Sequence, residues 1–586
     1  MNFIKRVLST ITGLFIFLFI CFVGVLIIVF ISNKNTTDTV YVKPNTVLKL
    51  KLDFPIKDYA GQTKFKDFEF TIDHKKNGLF DIIDAINFAA TDTKIKGISI
   101  ENNFIQAGLS QTKALRDALL NFKASGKFIN AYADIYTQKD YYLCSVADTV
   151  YINPAGMMEF KGLYSERLYF KDFQEKSGLK MEVIRFGKYK SAVEPYLTNT
   201  MSAENREQIS KYLNSIWGQI KKEIAISRHI PEHLLDNIAD NLLARTPSRA
   251  LKSKLIDKIA YQDQYISHLK KATHTAKDEK LSQINLSKYL NYVSQKEKSN
   301  TKNKIAVIFA EGEIIYGKGK LGSVGHITTN KALRQARKNK NVKAVVLRIN
   351  SPGGSALASE LIWREIELTK KVKPVIVSMG NVAASGGYYM ACNANKIFAQ
   401  PTTITGSIGV FGILPNAKNL ADRWGVNAEQ VVTNKNALTY SVLEPLNDNQ
   451  RGFIKESIID IYELFTQRVA TGRTLDINHV KAIAQGRVWT GTDALNNKLI
   501  DEIGGLNDAV QYASNLSNTE YYKIKKLPIF EQDIEELMEQ YGLMQSKENI
   551  LIKELGVENY KVLKEIKAMS KRKGMQLLLP YNLDIK

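Results

Sequence analysis

The chain has 586 residues, 44% apolar and 24% charged, with 81 basic against 59 acidic residues and a formal charge of +22. That length exceeds one ordinary domain, and the composition excludes a disordered chain. Cys21, Cys144 and Cys392 show no paired spacing, the seven histidines form no metalloprotease helix pattern, and the basic residues are spread without a nucleic-acid motif; a disulfide framework, metal or cofactor chemistry and nucleic-acid binding are therefore not expected.

After Lys5 and Arg6, residues 8–31 read LSTITGLFIFLFICFVGVLIIVFI without a charge. As a helix this run would span about 36 Å at roughly 1.5 Å per residue, enough to cross a bilayer. A cleaved signal peptide has an apolar region of about 7–15 residues and a small-residue exit. This run is longer and leaves into SNKNTTDT, so an uncleaved transmembrane anchor is expected. The basic flank assigns residues 1–7 to the cytoplasm and the body to the periplasmic or extracytoplasmic side of the inner (plasma) membrane. The positive charge suits an anionic leaflet, and solubility alone would also account for it.

From residue 40 onward short apolar strands alternate with amphipathic helices: IKGISIE (95–101), QTKALRDALLNFKASGK, FINAYAD and DYYLCSVADTVYINP. The pattern predicts parallel βαβ units. RFGKYKSAVEP (185–195) then places Lys188 and Lys190 in a glycine-entered loop before a helix-like stretch, and an extended backbone there would send both lysines to one side. The lysine-rich run 270–304 reads as a linker or surface helix.

The same order recurs in a second copy: VKAVVLRIN (342–350), SALASELIWREIELTKK, PVIVSMG and GYYMACNANKIFAQP. Tyr141 and Tyr388, Asn103 and Asn350, and Pro154 and Pro401 are all separated by 247 positions; SAVEP (191–195) and SVLEP (441–445) are separated by 250. A long, degenerate repeat follows, with α/β copies over residues 40–300 and 301–530. Residues 531–586 read as a charged, helical tail without assigned chemistry.

Two strand-to-helix junctions in the second copy carry the chemical signal. NSPGGS (350–355) offers Gly353 and Gly354, whose backbone can approach a ligand and whose N–H groups can hold an oxyanion. VSMGNVAASGGYYM sets Ser385 among small residues before Gly386 and Gly387. Strand ends in an α/β sheet are where ligands bind, so these junctions should be neighbours supplying an anion hole and a nucleophile. TGSIGVFG (405–412) is a third glycine-interrupted loop, centred on Ser407. No histidine occurs between His326 and His479 to act as a base. A lysine can do so if its pKa is lowered by burial. Under the alignments Lys190 faces Tyr440, Ser385 faces Gln138, and Gly353–Gly354 face Gln106–Ala107, so one composite site per pair of copies is expected.

NSPGGS, AASGGYYM, TGSIGVFG and GKYKSAVEP occur in the order and spacing of the signal peptide peptidase A family, and the chain resembles its long, tandem-repeat form after the anchor. The resemblance implies two crotonase/Clp-protease-like α/β domains, Ser385 as nucleophile, Lys190 rather than Lys188 as general base, and Ser407 as the lysine's hydrogen-bonding partner. It also implies a ring-like homotetramer that degrades signal peptides and other short apolar peptides at the membrane, with no cofactor. Gly353, Gly354 and Gly386 are the expected oxyanion support. Asn381 stands where the family commonly has an aspartate. Two other readings are a catalytically silent membrane scaffold ring, which would leave Ser385 far from both lysines, and a crotonase-type acyl-CoA enzyme, which an anchor disfavours.

Overall fold

A parallel strand covered on both faces must be apolar nearly throughout, and KIAVIFAE and VKAVVLRINS meet that condition. In a computed structural model they form adjacent strands, Lys304–Glu311 and Val342–Ser351, in parallel register. The structure describes residues 2–34, 40–65, 71–73, 78–296 and 300–532, together with 551–552, 554, 556, 560 and 575–579.

The two copies build the same sheet. In the first, six parallel strands run in the order Lys258–Ile259, Thr149–Met158, Phe128–Tyr136, Ile95–Ile100, Thr46–Leu50 and Gln283–Asn285. In the second, Glu502–Ile503, Lys396–Ala399, Val375–Ala384, Val342–Ser351, Lys304–Glu311 and Lys523–Leu527 repeat that order, and Ile404–Gly406 and Val488–Thr490 extend the far end of Val375–Ala384. The constant spacing survives as hydrogen bonds. Asn103 Oδ1 accepts from Ile135 N–H as Asn350 Oδ1 accepts from Val382 N–H, and Tyr141 Oη donates to Leu255 O as Tyr388 Oη donates to Leu499 O. Each copy also carries a 26-residue helix, Ala203–Arg228 and Asp448–Arg473.

The copies share further sheets. Lys180–Phe186 pairs antiparallel with Val410–Asn416 of the second copy, and Gln62–Phe65 pairs with Ile529–Gln532. A buried ion pair, Arg348 Nε to Asp58 Oδ2 at 2.9 Å, ties them as well.

Of the two readings of the 270–304 run, the surface helix holds over Leu286–Lys296, which buries Tyr289, Leu290, Tyr292 and Val293 because its apolar residues fall on one helical stripe; the linker does not, since Gln283–Asn285 joins the first sheet. The tail is not helical throughout. Gln576–Leu578 is a strand paired antiparallel with Gly353–Ser355, where Leu577 and Leu578 gain burial that a solvated helix would lack; most of 531–586 lies outside the described residues.

The first helix runs Asn2–Lys34. Its described side chains are those of residues 5–7, 9–20 and 23–24, and among the described residues no helix is long and apolar enough to cross a membrane.

Candidate active site

Ser385 sits between the strand Val375–Ala384 and the helix Gly386–Ala391, with φ +56° and ψ −114°. A non-glycine residue held in that region is strained by about 1–3 kcal/mol and persists only where its surroundings fix it. Here Ser385 N–H donates to Gly406 O at 2.8 Å, and Tyr389 N–H donates to Ser385 O at 2.8 Å. The parallel pairing of Ala384 with Gly406 brings Ser407 alongside, itself at φ +51°.

Lys190 arrives from the other copy. Its strand, Lys180–Phe186, delivers it to a tight turn in which Lys190 N–H donates to Gly187 O at 3.3 Å. The lysine Nζ lies 2.9 Å from Ser385 Oγ, 2.9 Å from Ser407 Oγ and 3.1 Å from Ser407 O. Lys190, Ser385 and Ser407 are each 0% exposed. Burial holds the Lys190 ammonium well below the usual lysine range. A charged amine in such a place loses its hydration without a carboxylate to replace it, so the neutral form is favoured. A neutral amine bonded to a hydroxyl out of contact with water can take that hydroxyl's proton.

The segment 485–487, which no sequence motif marks, holds both Lys190's turn and Ser407. Tyr189 N–H donates to Gln485 O, Ser407 N–H donates to Arg487 O, and a Cβ on Gly486 would lie 2.6 Å from Lys190 Cβ. Its only sequence signal is a glycine after glutamine, which many turns share. Behind the lysine, Gln208 Nε2 donates to Ser191 Oγ at 2.7 Å and to Tyr189 O at 3.1 Å, and Ser191 Oγ donates to Asn205 Oδ1 at 2.9 Å. That buried network fixes the turn against the helix Ala203–Arg228.

Lys188 is exposed, its Nζ over the Tyr189 ring at 5.3 Å. The two lysines do not share a side: the backbone at 187–190 turns instead of extending, so strand alternation does not apply.

The glycines divide by role. Gly353 (φ +102°) donates its N–H to Ser351 Oγ at 3.2 Å, and a Cβ there would meet Gly386 N at 2.9 Å. Gly354 pairs with Ile314 on one side and Leu577 on the other. Gly386 opens the short helix after Ser385. Asn381 lies outside this cluster, its Oδ1 accepting from Gln111 N–H at 3.1 Å.

The sequence matches the family model described as Peptidase family S49 over residues 121–276 and 367–520. It is 37% identical over 520 residues to Protease 4 of Haemophilus influenzae, a match covering 85% of this chain and 84% of that protein. Protease 4 of Salmonella typhi is 37% identical over 459 residues, covering 77% of this chain and 74% of that protein. Serine protease SPPA, chloroplastic, of Arabidopsis thaliana is 35% identical over 440 residues, covering 73% of this chain and 64% of that protein.

Proposed function

The chain belongs to peptidase family S49, in the long tandem-repeat signal peptide peptidase A form, and is a serine protease; on that premise we propose that Ser385 is its nucleophile and Lys190 its general base. The observation that carries this reading is Lys190 Nζ, fully buried, within 2.9 Å of both Ser385 Oγ and Ser407 Oγ.

Neutral Lys190 takes the Ser385 proton as the alkoxide attacks a peptide carbonyl. The oxyanion rests on the N–H groups of Gly354 and Gly386, since the N–H of Gly353 is engaged by Ser351. The Lys190 ammonium then donates its proton to the leaving amine, and water, activated by the same lysine, releases the acyl group. Ser407 orients the lysine through its hydroxyl and carbonyl oxygens. Each copy is a crotonase/Clp-protease-like domain, the first (40–300) supplying the base and the second (301–530) the nucleophile.

The substrates are signal peptides and other short apolar peptides, and the assembly is a ring-like homotetramer. Residues 8–31 form an uncleaved anchor that places residues 1–7 in the cytoplasm and the body outside the inner membrane. Charge-free apolar sequence over 24 residues supports this, as does the exposure of Ile11, Leu14, Phe15, Phe17 and Phe19.

A fluorophosphonate probe should label Ser385, read as a mass increment on its peptide; labelling elsewhere, or none in an active preparation, overturns the assignment. The body should need detergent for extraction and resist protease added to the cytoplasmic face; release by salt alone removes the anchor.

A further inference from the structure

The two halves of the candidate site come from different copies, and one buried amide joins them. Gln208, on the helix Ala203–Arg228, is 1% exposed. Its Nε2 donates to Tyr189 O at 3.1 Å and to Ser191 Oγ at 2.7 Å, the residues on either side of Lys190. Its Oε1 accepts from Val488 N–H of the second copy at 3.3 Å. Val488 pairs antiparallel with Gly406, and Gly406 O in turn holds Ser385 N–H at 2.8 Å. Gln208 therefore bonds both neighbours of the base and the strand whose partner holds the nucleophile.

The chemistry of these partners allows one arrangement. A main-chain carbonyl only accepts and a main-chain N–H only donates, so the amide must turn Nε2 to Tyr189 and Oε1 to Val488. A carboxylate in its place would face Tyr189 O with a second acceptor, and a thioether would leave both buried main-chain groups without this partner. Asn205, three residues earlier on the same helix face, supports the arrangement: its Oδ1 accepts from Ser191 Oγ at 2.9 Å, and its Nδ2 donates to buried Glu194. Seven residues further along the helix, Ser215 Oγ meets Thr490 Oγ1 at 2.9 Å, a second bond between this helix and the strand Val488–Thr490.

We propose that Gln208 is a positioning residue for the reaction: by bonding the turn that carries Lys190 and the strand that braces Gly406, it sets the separation between Lys190 Nζ and Ser385 Oγ. The inference rests on the reading above of Lys190 as base and Ser385 as nucleophile. A proton passes between heavy atoms about 2.6–3.2 Å apart, and the observed 2.9 Å lies inside that range. Released from Gln208, the turn draws Lys190 toward solvent, where hydration restores its ammonium. Charged groups flank the turn: Glu194 behind it, and Arg487, which pairs with Glu207 and lies over the Tyr189 ring.

The test uses the full chain with Gln208→Glu, which keeps the size and the Val488 bond, Gln208→Met, which keeps the size alone, and Ser215→Ala, which removes the other bond between this helix and that strand. On a fluorogenic apolar peptide both Gln208 variants should lose kcat by about 10–100-fold with KM within about twofold, and their pH limb should move up. Ser215→Ala should keep kcat within about twofold and leave the limb in place. Acetic anhydride, read by mass spectrometry, should modify Lys190 in both Gln208 variants and spare it in the unaltered chain and in Ser215→Ala. A limb that stays in place with Lys190 still spared overturns the proposal, whatever the turnover, and so does failure of both Gln208 variants to fold. Lys190→Met separates the two readings. If it retains turnover, the base assignment fails, and modification of Lys190 in the Gln208 variants upholds the seating of the turn by itself. If it is inactive while the Gln208 variants match the unaltered chain, Gln208 alone is overturned.

Discussion

The two copies share one sheet order, yet they finish their strand ends with different residues: small ones in the second copy, amide and carboxylate side chains in the first. In the second copy, Ser385 holds a strained backbone, and Gly386 and Gly387 let the helix start pack closely against its neighbours, a Cβ on Gly386 lying 2.6 Å from Ser359 Oγ and one on Gly387 2.9 Å from Ser351 O. In the first, the position of Ser385 is Gln138, whose amide donates to Gly162 O and accepts from Lys161 and Gly162 N–H. Asp140 stands where the second copy has Gly387, and its carboxylate accepts from Ile105 N–H at 2.9 Å. The first copy thus places a carboxylate where the second packs a glycine against Ser351 O. The turn after Lys180–Phe186 carries the buried Lys190 in the first copy, and Tyr440, at the matching place in the second, donates to Pro415 O. Equal scaffolds diverged by what their side chains do with unsatisfied backbone groups.

The sharpest way to break this comparison is to remove the proposed nucleophile or the proposed base. Ser385→Ala and Lys190→Met should each lower turnover by about 10³–10⁴ or more without lowering the melting temperature, whereas Gln138→Ala should stay within a few-fold. Lys190 titrates low because burial disfavours its charge, so activity should rise with pH along a limb well below the ordinary lysine range, as the proton leaves. A flat profile across neutral pH would contradict a titrating base.

Next in size is the tie between the copies. Arg348, at the position of Glu101 in the first copy, reaches Asp58 across the boundary, while Glu101 pairs with Lys49 inside its own copy. Asp58→Ala strands a buried guanidinium and should cost about 3–5 kcal/mol in chemical denaturation. Lys49→Ala, losing a partly exposed partner, should cost about 1 kcal/mol or less. Comparable losses would mean that the two pairs are equivalent.

Ser407→Ala should reduce turnover about 10–100-fold and move the pH limb, because it changes the lysine's partner set and leaves Ser385 in place. A drop without movement of the limb would make Ser407 merely structural.

The smallest effect concerns Glu311, whose carboxyl is pushed up to about 7 by burial and then by the charge of Asp58. Its folded value lies above its ordinary value of 4.5. The associated stability is therefore present below about pH 4.5 and is lost as pH rises through about 7. Glu311→Gln should flatten that fall by about 1–3 kcal/mol, and an unchanged pH–stability curve would remove Glu311 from the account.

Much of the site was legible because it is written in short, local signals. A strand followed by small residues gave Ser385 and its helix start, and the constant separation of 247 positions foretold the paired Asn103 and Asn350 bonds. The lysine pair was harder. Lys188 and Lys190 are two residues apart, and their difference comes from a turn closed onto Gly187 and from the 485–487 segment, nearly 300 residues away. Gly353 and Gly354 look alike in sequence. Ser351 and the register with Leu577 separate them.

The sequence by itself determined the repeat, the α/β class and the strand-to-helix junction at Ser385, because hydrophobic period and glycine placement act over a few neighbouring residues. Tertiary structure alone decided that Lys190 is buried beside Ser385, that Gly353 N–H turns to Ser351 Oγ, and that Gln576–Leu578 pairs with Gly353–Ser355. Each of those depends on desolvation and strand pairing between segments far apart in the chain, and such energies exist only once the chain has closed on itself.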